Sequence, residues 1–386
     1  TVRFRTEHAL VEQGLAAAER RACVVWIRNT VQEAQETYLR LASGIRQGGP
    51  EVALMHARFP FFRREQLENE WMERLGKDST KRPANGCILV STQVVEQSVD
   101  IDADLMITDL APSDMLFQRM GRLWRHERAP RPCTRAQLWI HDIALARSLR
   151  TAGAKEVKDA LNRSGKVYAP YVLVRSLDQW RRLKCVAVPS DIRPVLEATY
   201  AEMMNEPDAW RELHSEMLEQ MKRQRAHALA ATGVWNLPAL ADEEGVQTRY
   251  ATLKTANLVL VKESETDGHR TRLKFLDDTG HDVCGPQFDF ALAKALHRNL
   301  VRVPAWCVHE ATKGSPAWLG SYMSRPCAIG VLGEPDPGRL GSPIRFAGMG
   351  QSGLYYRDDL GIVIDEKPYS SATPVSGEEW ENESCD

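Results

Sequence analysis

The hydrophobic pattern at the start of the chain switches repeatedly between two periods. Cys23-Val24-Val25-Trp26-Ile27, Val52-Ala53-Leu54-Met55, Cys87-Ile88-Leu89-Val90-Ser91, Leu105 to Thr108 and Gln137-Leu138-Trp139-Ile140 are short, nearly continuous apolar runs. Runs of this length and composition fit strands buried on both faces. Between them lie stretches with helical spacing. Residues 7–20 form one, residues 61–75 behind Pro60 form another, and a third follows Thr30, with Glu33 as its capping-box partner. Short apolar strands separated by helices predict a mostly parallel sheet covered on both sides, an α/β domain over residues 1–145. From Thr1 the chain is read as entering directly on a helical segment.

Beyond residue 145 the pattern changes twice. Residues 146–246 read as mainly helical. Within them 208–231 is a long charged helix containing Lys222-Arg223-Gln224-Arg225, and Asn236 and Pro238 mark its end. Residues 247–365 read as a small α+β domain. Leu258-Val259-Leu260-Val261 and Arg272-Leu273-Lys274-Phe275-Leu276 form a hairpin around residues 263–269, and short strands follow at 328–332 and 361–364. Residues 366–386 are acidic, Ser-rich and poor in apolar side chains, the composition of a disordered tail. A length of 386 residues accommodates these divisions. No internal repeat is visible.

Composition narrows the class of protein without choosing a function. Apolar residues make up 43% and charged residues 26%, which supports a globular core. No stretch nears the roughly 20 apolar residues that span a bilayer, so no membrane partner is expected. The eight cysteines are scattered without a C-x-x-C pair. That usage predicts a reduced, cytoplasmic chain with no metal bound by its own residues. A first residue of Thr, with no signal peptide, predicts a fragment or a processed chain. Net charge is −2, yet Arg119, Arg122, Arg125, Arg128, Arg131 and Arg135 crowd one stretch. A protein that grips a nucleic-acid strand needs only such a local basic feature.

The chemistry concentrates in residues 92–126. Gln118-x-x-Gly121-Arg122-x-x-Arg125 places two guanidinium groups three residues apart, on one helix face with Gln118. Guanidinium is planar, forked and always charged, and so suits the charge that builds on a transferring phosphoryl group. Alone, this spacing fits a solvated arginine-rich face better. The Thr92…Asp100 segment directly upstream favours the phosphate reading. Thr92 and Gln93 end an apolar strand, where open α/β sheets meet their ligands. The Thr92 hydroxyl could donate to a DNA phosphate, and Asp100 could organise the nucleotide side of a cleft. Asn29, Thr30, His56 and Arg58 follow other strands toward the same edge and could grip a strand backbone. Each of these also fits a cap, a turn or a surface position.

In this order and spacing the segments resemble the second RecA-like domain of superfamily 2 helicases. More closely they resemble the CRISPR-associated helicase–nuclease of type I systems. The residues carrying the resemblance are Asn29-Thr30, LMHARF at 54–59, STQVVEQSVDIDADLMITDLAP at 91–112 and QRMGRLWRH at 118–126. Gln93, Glu96-Gln97-Ser98 and Asp109-Leu110-Ala111-Pro112 look like that family in particular, although many relatives have glycine at Ser98. Residues 188–194 resemble its linker region. Gln247-Thr248-Arg249 and Gly353-Leu354-Tyr355-Tyr356 loosely resemble its accessory C-terminal domain. The resemblance implies an ATP-dependent translocase moving 3′ to 5′ on single-stranded DNA, coupled to a nuclease that degrades foreign DNA. It implies ATP with Mg2+ held mostly by another motor domain, with Arg122 and Arg125 closing onto the phosphates. Its implied partners are single-stranded DNA and the RNA-guided surveillance complex. The alternatives are another superfamily 2 helicase, in DNA repair or RNA metabolism, and a non-catalytic RecA-like binding module.

Some parts of such a machine have no counterpart in this sequence. The phosphate loop G-x-x-x-x-G-K-[ST] does not occur, and Gly76-Lys77 has Trp71 where its first glycine belongs. Asp365-Glu366 imitates a magnesium-holding pair at the wrong end of the chain. His141-Asp142 and His281-Asp282 read as surface dipeptides rather than nuclease ligands. The chain alone is therefore expected to lack ATPase activity.

Overall fold

The computed structural model describes residues 1–365 except 79, 97–99, 129, 146–147, 235–253, 268–269, 285–287, 324, 336–338 and 350, and omits the side chains of 224–234, 284 and 351. Gln97-Ser98, the proposed helix end at Asn236 and Pro238, Gln247-Thr248-Arg249, Glu366 and the acidic tail lie outside the described residues, as do the 246/247 boundary and the side chains of Gln224 and Arg225. Two compact units are present: Thr1–Ala57 with Arg64–Leu253, and Arg58–Arg63 with Lys254–Asp386.

The first unit is built on strands β1 (Val2–Arg5), β2 (Cys23–Ile27), β3 (Glu51–Met55), β4 (Cys87–Ser91), β5 (Leu105–Thr108) and β6 (Gln137–His141). Their order in the sheet is β1-β6-β5-β2-β4-β3, and every neighbouring pair is parallel. All five residues of β2 and of β4 are buried, as central strands covered on both faces require. Helices α1 (Glu7–Glu19), α2 (Val31–Gly44), α3 (Phe61–Leu75) and α4 (Ser113–Met120) connect the strands. Thr30 caps α2 as its sequence predicts. Its hydroxyl accepts from the Glu33 N–H at 3.2 Å and donates to the Glu33 carboxylate at 2.6 Å. Gly86, at φ +75°, makes the turn into β4, where a Cβ would stand 2.2 Å from the Ala18 carbonyl oxygen. The entry at Thr1 differs from the sequence reading, since Val2–Arg5 is strand β1 and the first helix starts at Glu7. Arg3 and Arg5 disguise it, because an edge strand tolerates charge that a central strand cannot.

The helical region packs within this same unit as α5 (Ala154–Leu161), α6 (Ser164–Val167), α7 (Pro170–Trp180), α8 (Ile192–Tyr200) and α9 (Asp208–Val234). It is anchored on α4. The Trp180 indole N–H donates to the Ser113 hydroxyl at 3.0 Å, its ring lies 5.2 Å from that of Phe117, and the Ser113 and Thr199 hydroxyls are 2.7 Å apart.

The second unit is one mixed sheet. It comprises β7 (Thr255–Asp267), β8 (Arg270–Phe275), β9 (Gly280–Cys284), β10 (Leu300–Pro304), β11 (Cys327–Leu332), β12 (Ser342–Arg345), β13 (Gln351–Arg357) and β14 (Gly361–Ile364), with helices α10 (Phe290–Arg298) and α11 (His309–Lys313). The order is β14-β13-β12-β11-β7-β8-β9, with β10 also on β7. The expected β7–β8 hairpin is present. Alternate residues of β7 feed two cores: Leu258 and Leu260 join Val301, Ile344 and Ile362, while Val259 and Val261 join Phe275, Leu292 and Leu296.

Candidate nucleotide-facing site

Parallel pairing brings the residues that follow β2, β4 and β5 to the carboxyl edge of the first sheet, where α/β folds place their sites. The centre of that edge is Arg119, on the inner face of α4 and fully buried. Its Nε donates to the Glu96 carboxylate at 2.7 Å. One terminal nitrogen donates to the Thr108 hydroxyl at 2.6 Å and to the Asp109 carbonyl at 3.1 Å. The other donates to Asn29 Oδ1 at 3.1 Å and to the Tyr168 hydroxyl at 3.3 Å. Burial alone would lower the Arg119 pKa. Tyr168, Glu96 and Asp109 reverse that and hold it above the ordinary arginine value.

Around this hub the loops are tied to one another. Asn29 Nδ2 donates to the Leu110 carbonyl at 2.7 Å and to the Ser164 hydroxyl at 2.9 Å, and the Asn29 N–H donates to Asp109 at 2.8 Å. Gln93 Nε2 donates to the Asn29 carbonyl at 3.0 Å and to the Tyr168 hydroxyl at 3.2 Å. Arg28 pairs with Glu7 at 2.9 Å and Asp109 at 3.2 Å, with Glu33 at 3.8 Å. His141 is not a lone surface residue, since its ring stands 3.5 Å from both Glu7 and Asp109. Burial opposes the Asp109 charge, but Arg28 and His141 outweigh it and hold the carboxyl below its ordinary range. Burial likewise lowers the His141 pKa, and Asp109 and Glu7 more than restore it, so the net shift is upward.

The second arginine group lies past the helix. Helix α4 ends at Met120, with Gly121 as its cap. Arg122 and Arg125 therefore do not continue a helix face with Gln118, as the spacing alone predicts. Gln118 is exposed on α4. One Arg122 terminal nitrogen donates to the Glu96 carbonyl at 2.9 Å, while its Nε is buried without a hydrogen-bond partner. Arg125 pairs with Asp100 at 2.8 Å, its side chain 39% exposed and that of Asp100 45%. His126 stands 3.0 Å from the same carboxylate.

The residues expected to meet DNA fall into two groups. Asn29, Thr30 and Gln93 spend side-chain polar atoms on the loops themselves. His56 is fully buried and Thr92 nearly so at the end of β4. Arg58 is half-buried in the second unit, where its carbonyl accepts from the Ile362 N–H at 2.9 Å. The sequence reading gave no site role to Arg28, Arg119 or Tyr168. Arg28 and Arg119 sit beside quoted motif residues, so position was a usable signal. Tyr168 is 49 residues from Arg119 and carries no such signal.

For Mg2+, this turn offers little. Asp100 is occupied by Arg125 and His126, and Asp102 by Arg128 and Arg131. The residues here suit phosphate oxygens rather than a metal cation.

Residues 20–128 match the family described as CRISPR-associated nuclease/helicase Cas3, C-terminal. A CRISPR-associated endonuclease/helicase Cas3 of Escherichia coli is 44% identical over 123 residues, covering 32% of this chain and 14% of that protein. The Thermus thermophilus protein of the same description is 39% identical over 187 residues, covering 46% of this chain and 18% of its own length. Among solved structures, T. fusca Cas3 with AMPPNP aligns with 94% of this chain and 42% of its own at TM-score 0.68 and 23% identity. A chain of a CRISPR RNA-guided surveillance complex in a pre-nicking state aligns with 94% of this chain and 44% of its own at TM-score 0.66 and 22% identity. The chain thus spans less than a fifth of these curated relatives and under half of these solved chains. It shares its fold with the solved chains, and over residues 20–128 it is similar to the C-terminal part of the CRISPR-associated nuclease/helicase Cas3 family.

Proposed function

We propose that this chain is the C-terminal portion of an ATP-driven single-stranded DNA translocase coupled to a nuclease, working in type I CRISPR interference. The observation that carries this reading is the contrast around α4. A fully buried arginine fixes the carboxyl edge, and directly beyond the helix Arg122 and Arg125 stand on a turn. The Arg125 guanidinium is held by a carboxylate that is itself partly exposed, so an incoming phosphate could displace Asp100 without unfolding the core.

In this reading ATP binds mainly to a phosphate-loop domain outside this sequence. Arg122 and Arg125 approach its phosphates from this side and stabilise the charge that grows on the γ-phosphoryl oxygens. The solved relative bound to AMPPNP supports nucleotide as the ligand. Mg2+ would travel with the nucleotide and take its protein ligands elsewhere. Arg58 is kept as a contact to the DNA backbone, with Asn29, Thr30, His56, Thr92 and Gln93 shaping the loops. The partner is an RNA-guided surveillance complex, supported by the relative solved within one. Among the described residues no helix is long and apolar enough to cross a membrane, and the cytoplasm is the proposed compartment.

The test compares this chain alone with the chain joined to its phosphate-loop domain. The joined protein should hydrolyse ATP in response to single-stranded DNA, and the chain alone should not. Strand-dependent turnover by the chain alone, or none by the joined protein, would overturn the reading.

A further inference from the structure

Among the described residues, Asp102 and Asp104 are the most deeply buried carboxylates outside the hub, at 0% and 1% exposure, just before β5. Three arginines converge on them. Asp102 Oδ2 accepts from Arg128 Nε at 2.5 Å, and both its oxygens accept from Arg131, at 3.0 and 3.1 Å. Asp104 accepts from Arg131 at 2.9 Å and from Arg82 at 2.8 Å, and also from the Cys23 N–H at 2.9 Å. Burial works against the Asp102 charge, but hydrogen bonds from Arg128 and Arg131 outweigh it and hold the carboxyl below its ordinary range.

One further bond gives this cluster a purpose. Asp102 Oδ1 accepts from the backbone N–H of Arg125 at 2.8 Å. The residue before, Trp124, is held at φ +51° in the left-handed region, which a bulky side chain rarely adopts. Such a conformation is strained and persists only where its surroundings over-determine it. Here they do. The Trp124 N–H donates to the Ala103 carbonyl and its indole N–H to the Asp104 carbonyl, each at 3.0 Å. The Arg131 guanidinium lies 4.8 Å from the indole centroid. Asp102 is itself anchored, its N–H donating to the Leu75 carbonyl at 2.9 Å.

We infer that Asp102 is a positioning residue for Arg125. Its buried carboxylate, fixed by Arg128 and Arg131, holds the Arg125 backbone and so sets where the guanidinium can reach. The inference rests on the proposed role of Arg125 toward phosphate. Asp100 and Asp102 then divide the work: Asp100 holds the side chain when no phosphate is present, and Asp102 holds the main chain throughout. A displacement of about 1 Å in a positioned group can cost roughly 100-fold in rate.

The test uses the chain joined to its phosphate-loop domain, with Asp102→Asn, Arg125→Ala and the double variant. Asp102→Asn should lower kcat for ATP roughly 10- to 100-fold, with KM for ATP and single-strand affinity each within about twofold. Added to Arg125→Ala, it should slow turnover no further, because there is nothing left to position. Arg128→Gln, which removes one holder of Asp102, should show a smaller loss and the same non-additivity, and it decides the matter should Asp102→Asn fail to fold. Unchanged kcat in these variants, or losses that multiply with that of Arg125→Ala, would overturn the inference while leaving Arg125 in its role. Normal turnover in Arg125→Ala would instead overturn the reading beneath it, and this inference with it.

Discussion

Arg119 and Arg125 stand six positions apart and do opposite things. Arg119 is fully buried and donates to five acceptors drawn from segments between residues 29 and 168. Arg125 lies beyond the helix on a turn, paired with one carboxylate and 39% exposed. The same side chain thus serves as internal lock and as outward-facing cation. What separates the two is the end of α4 at Met120, after which the chain runs beside Ala103 instead of continuing the helix. Spacing within a motif therefore does not establish equal roles for its arginines. Burial and partners do.

The sharpest break of this comparison is Arg119→Ala. It leaves Glu96, with a side chain 2% exposed, without its buried partner, and removal of one member of such a pair costs about 3–5 kcal/mol. The thermal or denaturant midpoint of the first unit should fall accordingly, whereas Arg125→Ala should cost no more than about 1 kcal/mol, as exposed pairs do. Equal destabilisation by the two would erase the distinction.

Thr30→Ala tests whether the loop after β2 is held by its cap rather than kept free for a ligand. Loss of the cap should cost about 1 kcal/mol of stability. A stability unchanged in urea titration would release Thr30 for another role.

His141 gives the comparison a pH dependence. Facing Asp109, Glu7 and Arg28, its pKa is raised in the folded state. A raised imidazole contributes stability that is fully present below its unfolded value, about 6.5, and lost as pH climbs through the folded value. The stability difference between the parent and His141→Gln should therefore be largest below pH 6 and shrink toward alkaline pH. A difference that grows with pH would contradict the ion-pair geometry.

The smallest effect is expected at Arg58. If it contacts one phosphate, Arg58→Ala should reduce the slope of log affinity for single-stranded DNA against log salt by about 0.7. Affinity curves that superimpose at every salt concentration would remove Arg58 from the DNA interface.

The first sheet was legible because its central strands are continuous apolar runs, a pattern that survives without context. The edge strand β1, with Arg3 and Arg5, was not. Nor were β9, β10, β12 and β13, short segments of mixed polarity whose pairing depends on partners far along the chain. At the candidate site, the arginine spacing was visible, as was the capping box at Thr30. The hub was not, because Asn29, Glu96, Thr108 and Tyr168 meet at Arg119 only after the sheet order is set. Asp102 and Asp104 lie within the quoted 91–112 segment but were given no role of their own, since nothing in the sequence tells a buried acid from an exposed one.

The most direct test of the account is ATP turnover by Arg125→Ala in the chain joined to its phosphate-loop domain, measured beside its single-strand affinity and melting temperature. The account predicts turnover lowered by roughly 10³-fold or more, with strand binding unchanged and stability lowered by no more than about 1 kcal/mol. Turnover at the parent rate, or a loss that appears only together with lost binding or with destabilisation well beyond about 1 kcal/mol, would contradict it.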